Sequence, residues 1–210
     1  MSAIIKNIIF DLGQVLLDLD KKKCLDAFSE AGFTTAGELL EQNKRNQLFG
    51  AYECGDITSA EFRNAVRSMC TTNCSDNEID AIWNTMLVAI PIEKLHFLIE
   101  LRKRYKVCLL SNTNEIHWDY IVAHFFEQQG IKPEACFDYI FLSYKMKEKK
   151  PNSAIYQKAL ETGNMKPEET LFIDDLKENC QAAAALGIQT IHFTPGRSLP
   201  AVVSSFLTTL

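Results

Sequence analysis

Short apolar runs of strand length recur along the 210-residue chain: IIKNIIF (4–10), KVCLL (106–110), DYIFLS (138–143), TLFI (170–173) and IQTIHF (188–193). Runs this brief and this uniformly apolar predict strands buried on both faces. Between them the apolar positions fall at helical spacing, in PIEKLHFLIELRKR from Pro91, NEIHWDYIVAHFFEQQG from Asn114, PNSAIYQKALETG from Pro151 and LKENCQAAAALG ending at Gly187. Proline near a start and glycine at an end are the expected punctuation of helices. Strands alternating with helices of this length predict an α/β fold, a parallel sheet flanked by helices on both faces.

Residues from about 20 to 88 break that rhythm, because they offer helix starts and no convincing strand. Thr58–Glu61 (TSAE) and Ser75–Glu78 (SDNE) both have the form of a capping box, the first followed by the amphipathic run FRNAVRSM. The expected organisation is therefore a core built from residues 1–18 and 89–210, interrupted by an all-helical insertion over 19–88. The chain crosses between the two near residues 18–22 and 87–91, a natural hinge for a lid.

A 47% apolar composition supplies the core of a soluble globular domain. The net charge of -5 comes with no long basic run, Lys21-Lys22-Lys23 and KMKEKK (145–150) being the nearest, so nucleic acid is not an expected partner. Of seven cysteines only Cys70 and Cys74 lie close together, and no second ligand pair follows them, so free buried thiols in a reducing compartment are expected. No signal-peptide core or membrane-length apolar run occurs, which predicts a cytoplasmic protein without a membrane anchor.

In an open parallel sheet the ligand crevice lies beyond the carboxyl ends of the strands. The predicted strands deliver there Asp11, then Ser111 and Asn112, then Lys150, then Asp174 and Asp175. Taken singly, each has an ordinary use as a turn residue, a helix cap or a solvated charge. Together they compose a phosphoryl-transfer site. Carboxylates from two strands can hold Mg²⁺, Lys150 can neutralise the transferred group, Ser111 can donate to a phosphate oxygen, and Asp11 can attack phosphorus to give an aspartyl-phosphate.

The sequence resembles the haloacid dehalogenase-like hydrolases over essentially its whole length. IIFDLGQVL is similar to that family's first motif, LLSNTN to its second, KKP to its third and LFIDDLKEN to its fourth, in the expected order. The resemblance implies a Rossmann-like parallel sheet with a small all-helical cap inserted after the first motif. It also implies Asp11 as nucleophile and metal ligand, Lys150 as a catalytic and phosphate-binding residue, Ser111 and Asn112 as phosphate binders, and Asp174 with Asp175 at the metal. The FDLGxV phrase with a short helical cap is similar to a branch that includes phosphatases of sugar phosphates, glucose 1-phosphate among them. A small phosphorylated metabolite and Mg²⁺ are the implied substrate and cofactor.

Gly13 departs from the pattern. Most phosphatases of the family have an aspartate there, giving a backbone carbonyl to the metal and a carboxyl proton to the leaving group; Gly13 retains only the carbonyl. General acid catalysis is commonly worth about a hundredfold to ten-thousandfold, so its loss leaves a slow or selective phosphatase. Either a neighbour such as Asp18 or Asp20 replaces the acid, or the enzyme takes esters with acidic leaving groups such as anomeric phosphates. Two rival readings stay open: a metal-independent haloacid dehalogenase, and a non-catalytic relic that binds a phosphorylated ligand or a protein. Within the insertion, Lys44, Arg45, Tyr52 and Glu53 are the candidate substrate contacts. His117, His124 and His192 fit neither a metal pattern nor an acid–base pair.

Overall fold

The computed structural model describes residues 4–32, 45–69 and 74–208. Among them are seven strands: β1 (Asn7–Phe10), β2 (Asp18–Leu19), β3 (Leu87–Ala89), β4 (Lys106–Ser111), β5 (Tyr139–Leu142), β6 (Thr170–Asp174) and β7 (Gln189–His192). Five of these form one sheet in the order β5-β4-β1-β6-β7, with every pairing parallel. Every one of the five predicted strands is present. The first begins later than expected, at Asn7, because Ile4 is 79% exposed and has no sheet face to bury.

Successive residues of the central strands serve opposite faces. Ile8, Phe10, Val107, Leu109, Leu171 and Ile173 pack into one core, while Ile9, Cys108, Leu110 and Phe172 pack into another beneath the helices Ser153–Gly163 and Lys177–Ala184. Burial on both faces is why these strands read as continuous apolar runs rather than alternating ones. Chain direction across the sheet reverses at β1, which lies between β4 and β6. That reversal opens a crevice at the carboxyl ends of β1 and β6.

The helices Lys21–Glu30, Arg45–Glu53, Ser59–Arg67 and Asp76–Asn84 share a separate apolar cluster around Phe28, Phe62, Ile79 and Trp83. Both predicted capping boxes form: Thr58 and Ser75 each accept from the backbone three residues on, while Glu61 and Glu78 reach back. One expectation needs correction, since the stretch to residue 88 does contain strand. β2 and β3, where the chain enters and leaves the insertion, pair antiparallel. They are too short, at two and three residues, to show a period in sequence.

No helix among the described residues is long and apolar enough to cross a membrane. Cys108, Cys136 and Cys180 are buried free thiols, Cys24 and Cys74 are buried, and Cys54 is partly exposed; Cys70 lies outside the described residues.

Candidate active site

β1 ends at Asp11, whose N–H donates to the carbonyl of Ile173 on the neighbouring strand (2.9 Å). The chain then folds back on itself. Leu12 accepts from Leu16 and Leu17, Gln14 donates to Leu17, and Gln14 adopts a left-handed φ of 59°. This turn exposes the loop to the crevice while its apolar residues Leu12, Val15 and Leu16 remain buried. Gly13 has no positive φ, and an added Cβ would meet only the end of the Leu19 side chain, at 2.9 Å.

Lys150 is 3% exposed and its Nζ donates to Asp11 Oδ1 (2.6 Å) and to Asp174 Oδ2 (2.7 Å). Burial opposes its charge, but attraction to Asp11 and Asp174 and their hydrogen bonds outweigh it, so its pKa is raised. Asn112 holds the lysine in place. Its side chain accepts from the Lys150 N–H and donates to the Lys150 carbonyl, both at 2.9 Å. Ser111, 2% exposed at the end of β4, lines the same crevice.

Asp174 has no exposed surface. Oδ1 accepts from the Leu176 N–H (2.8 Å) and from Asn179 Nδ2 (3.0 Å), and Oδ2 from Lys150 and again from Asn179 (3.1 Å). Asp175 is only partly buried; burial, then repulsion from Asp174, raises its pKa. Burial likewise pushes the Asp11 carboxyl up, to about 7, against the attraction of Lys150. Sequence reasoning passed over Asn179, although its place one turn into the helix after the acidic pair aims it back at the strand end.

Oxygen atoms of Asp11, Asp174 and Asp175 lie within 4.8 Å of one another. Three carboxylates against one lysine leave an excess of negative charge, and hard oxygen donors at this spacing suit Mg²⁺, whose bonds of about 2.0–2.1 Å hold opposite oxygens roughly 4 Å apart. The residues present fit that ion. With Asp174 committed to Lys150 and Asn179, Asp175 and Asp11 are the more open of the three carboxylates, and the Gly13 carbonyl belongs to the same loop as Asp11.

The crevice is a cavity of about 320 Å³, large enough for a small metabolite. Leu19, Phe49, Trp83, Met86 and Leu87 form much of its apolar wall, while Gln14, Lys21, Glu53 and His117 supply polar groups. Among the described residues, Glu53 is the expected cap contact that lines the cavity. Tyr52 is instead 2% exposed, stacked on Phe62, hydrogen-bonded to Ser59 (2.8 Å) and accepting from the Ile116 N–H of the core (3.3 Å), so it packs the insertion and ties it to the core. Lys44 and the Arg45 side chain lie outside the described residues. A larger concavity of about 550 Å³ beside Trp118 and Pro133 lies away from the strand ends.

The residues expected as substitute acids are engaged elsewhere. Asp18 pairs with Lys94 (3.2 Å), and Asp20 caps its helix by accepting from the Lys22 and Lys23 N–H groups. His117 sits at the cavity wall, stacked on Trp83, with Nδ1 accepting from Asn114 and Nε2–H donating to the Trp83 carbonyl (3.2 Å). His124 stacks on Tyr120, and His192 donates to the Asp175 carbonyl (3.0 Å).

Residues 8–193 match the family model described as haloacid dehalogenase-like hydrolase. The chain is 31% identical over 188 residues to a D-ribitol-5-phosphate phosphatase of Bacteroides thetaiotaomicron, covering 90% of this chain and 91% of that protein. A haloacid dehalogenase-family enzyme from the same organism, solved with magnesium and inorganic phosphate, superposes with a TM-score of 0.87 at 42% identity, covering 92% of this chain and 96% of that one. A structure described as a predicted HAD-like family hydrolase of Porphyromonas gingivalis gives a TM-score of 0.89 at 30% identity, covering 98% of both chains.

Proposed function

The chain belongs to the haloacid dehalogenase-like hydrolases, and within them we propose that it is a Mg²⁺-dependent phosphomonoester hydrolase working through an aspartyl-phosphate on a small phosphorylated polyol or sugar. The observation that carries this reading is the cluster at the ends of β1 and β6: Lys150 bonded to both Asp11 and Asp174, with Asp175 beside them. A bound Mg²⁺ supplies charge that offsets the carboxylates and the phosphoryl oxygens.

The chain's own residues do the rest. Asp11 attacks phosphorus, held by its backbone bond to Ile173 and by Lys150. Lys150 and the Ser111 hydroxyl stabilise charge on the phosphoryl oxygens, and Asn112 keeps Lys150 in register. The helical insertion over 19–88 acts as the cap, its Phe49 and Trp83 walling off water from the crevice. Relatedness to a ribitol 5-phosphate phosphatase supports the substrate class, since both chains match over nine-tenths of their length.

A haloacid substrate fits poorly, because its carboxylate would meet Asp174 and Asp175 with one lysine to offset three carboxylates. The test is a panel of phosphate monoesters, ribitol 5-phosphate and glucose 1-phosphate included, with and without Mg²⁺. Turnover should require the metal and fall at least a hundredfold in Asp175→Ala. Undiminished turnover in chelator would contradict the metal role, and turnover of a haloacid instead would replace the reading.

A further inference from the structure

The loop after Asp11 sets its side chains against conformational preference. Gly13, which could take left-handed backbone without strain, has no positive φ, while Gln14 beside it carries a side chain at φ 59°. Left-handed backbone brings the Cβ of an L residue too close to the following carbonyl oxygen, a cost that glycine does not bear. Asn and Asp tolerate that conformation best, and glutamine shares no such advantage. Strained residues of this kind persist where the surrounding structure holds them, and they cluster at ligand sites. Among the described residues, Gln14, Lys147 and Asn164 have a positive φ without being glycine, and of these Gln14 lines the crevice.

The Gln14 amide is also oriented. Its Nε2 donates to the Leu19 carbonyl (3.0 Å), and because a carbonyl oxygen only accepts, the amide nitrogen is the atom on that side. Oε1 is thereby turned away from Leu19, and it has no partner among the described residues. Among those residues the buried side-chain polar atoms without a partner are Trp83 Nε1 and Asn84 Oδ1, so Gln14 Oε1 is open to solvent on a residue of the cavity wall. Leu19 belongs to β2, pairs with Leu87 of β3, and lines the same cavity. The amide is therefore anchored on the strand by which the chain enters the insertion, and it follows Asp11 in one tight loop.

We propose that Gln14 is a specificity-determining residue, its amide oxygen accepting a hydrogen bond from a hydroxyl on the carbon chain of the leaving group; the inference rests on the phosphatase reading. A polyol or sugar phosphate carries hydroxyls along that chain, and the apolar wall of Leu19, Phe49, Trp83, Met86 and Leu87 offers them little to bond to. A fixed acceptor on the nucleophile loop separates a hydroxylated chain from a bare alkyl one, because the bare chain leaves that acceptor unpaired when it displaces water. Gln14 binds the substrate, and Asp11 carries out the attack.

The experiment measures kcat/KM with Mg²⁺ for ribitol 5-phosphate, n-pentyl phosphate and p-nitrophenyl phosphate in wild type, Gln14→Met and Gln14→Gly. Ribitol 5-phosphate and pentyl phosphate share a five-carbon chain and a primary ester and differ in their hydroxyls. Methionine keeps the length and the strained backbone without the amide, and glycine removes both. In either variant the ratio of kcat/KM for ribitol 5-phosphate to that for each of the other esters should fall about threefold to tenfold, the range of one neutral hydrogen bond. Turnover of p-nitrophenyl phosphate reports that the variant is folded. An unchanged ratio, whether all three rates fall together or none does, would overturn the assignment and leave Gln14 as a tie between the loop and β2. A wild type that does not favour ribitol 5-phosphate over pentyl phosphate would overturn it as well. If wild type with Mg²⁺ hydrolyses none of the three esters, the phosphatase reading fails and the assignment falls with it.

Discussion

Asp174 shows how one buried side chain sets the electrostatics of the site. Its oxygens accept two bonds from Asn179, one from Lys150 and one from a backbone N–H, which is what allows a carboxylate with no exposed surface to stay in place. Removing the amide strips both Asn179 bonds from a buried acceptor, a loss of about 1–3 kcal/mol. Asn179→Ala should therefore lower the unfolding free energy by that amount, seen as a lower denaturant midpoint, and weaken Mg²⁺ affinity by about tenfold to a hundredfold, read by metal titration of turnover. An unchanged midpoint and affinity would show that Lys150 alone holds Asp174. His117 makes a second residue-scale case: burial, against its bond to the Trp83 carbonyl, pushes its pKa down to about 4. The unfolded chain binds this proton near pH 6.5 and the folded one does not, so stability is full above about 6.5 and is lost as pH falls toward 4, by up to about 3 kcal/mol. His117→Asn should flatten that part of the stability profile, measured by urea unfolding at pH 7.5 and 4.5; an equal slope in wild type and variant would assign the loss to other groups.

At the scale of elements, the contact between the insertion and the core decides how the insertion is seated beside the crevice. Gly55 and Gly130 both adopt left-handed backbone, φ 67° and 71°, but an added Cβ meets the Tyr144 carbonyl at the first and nothing within 4 Å at the second. Alanine costs backbone strain of about 1 kcal/mol at either site. Only Gly55→Ala also forces the insertion off its seat. It should lower thermal stability more than Gly130→Ala and should alone reduce turnover of alkyl esters; matched effects in the two variants would show that the seat is not needed for activity. This contact illustrates what the sequence could and could not disclose. Strands with both faces buried and helices with reciprocal caps write their period and their punctuation into local sequence, and so β1, β4 and the Thr58 and Ser75 caps were legible. The seat at Gly55 pairs residues about ninety positions apart, Glu53 with Ser143 and Gly55 with Lys147, and no local pattern encodes such a meeting.

Across the whole molecule, the parallel sheet gathers residues from three strand ends, and Lys150 from the loop that follows β5 and the helix Ser143–Met146, into one cavity, and chain reversal at β1 puts Asp11 and Asp174 on either side of Lys150. The residues of this cluster were readable because strand ends are where such sheets place ligands. Their division of labour was not. That Asn112 holds Lys150 by its main chain, that Asp174 is enclosed while Asp175 is more open, and that Asp18 and Asp20 are engaged away from the crevice all depend on which way side chains turn. The family resemblance likewise pointed toward sugar phosphates, and one relative is named for ribitol 5-phosphate.

The central claim is that Asp11 becomes phosphorylated during turnover. Its most direct test is rapid acid quench of the enzyme reacting with ribitol 5-phosphate and Mg²⁺, followed by mass mapping of the peptide that contains IIFDLGQVL. One phosphoryl group should appear on Asp11 in wild type within a single turnover, and none in Asp11→Asn or in the presence of chelator. Steady hydrolysis with no phosphoryl group on that peptide, or with the group on another residue, would contradict the account.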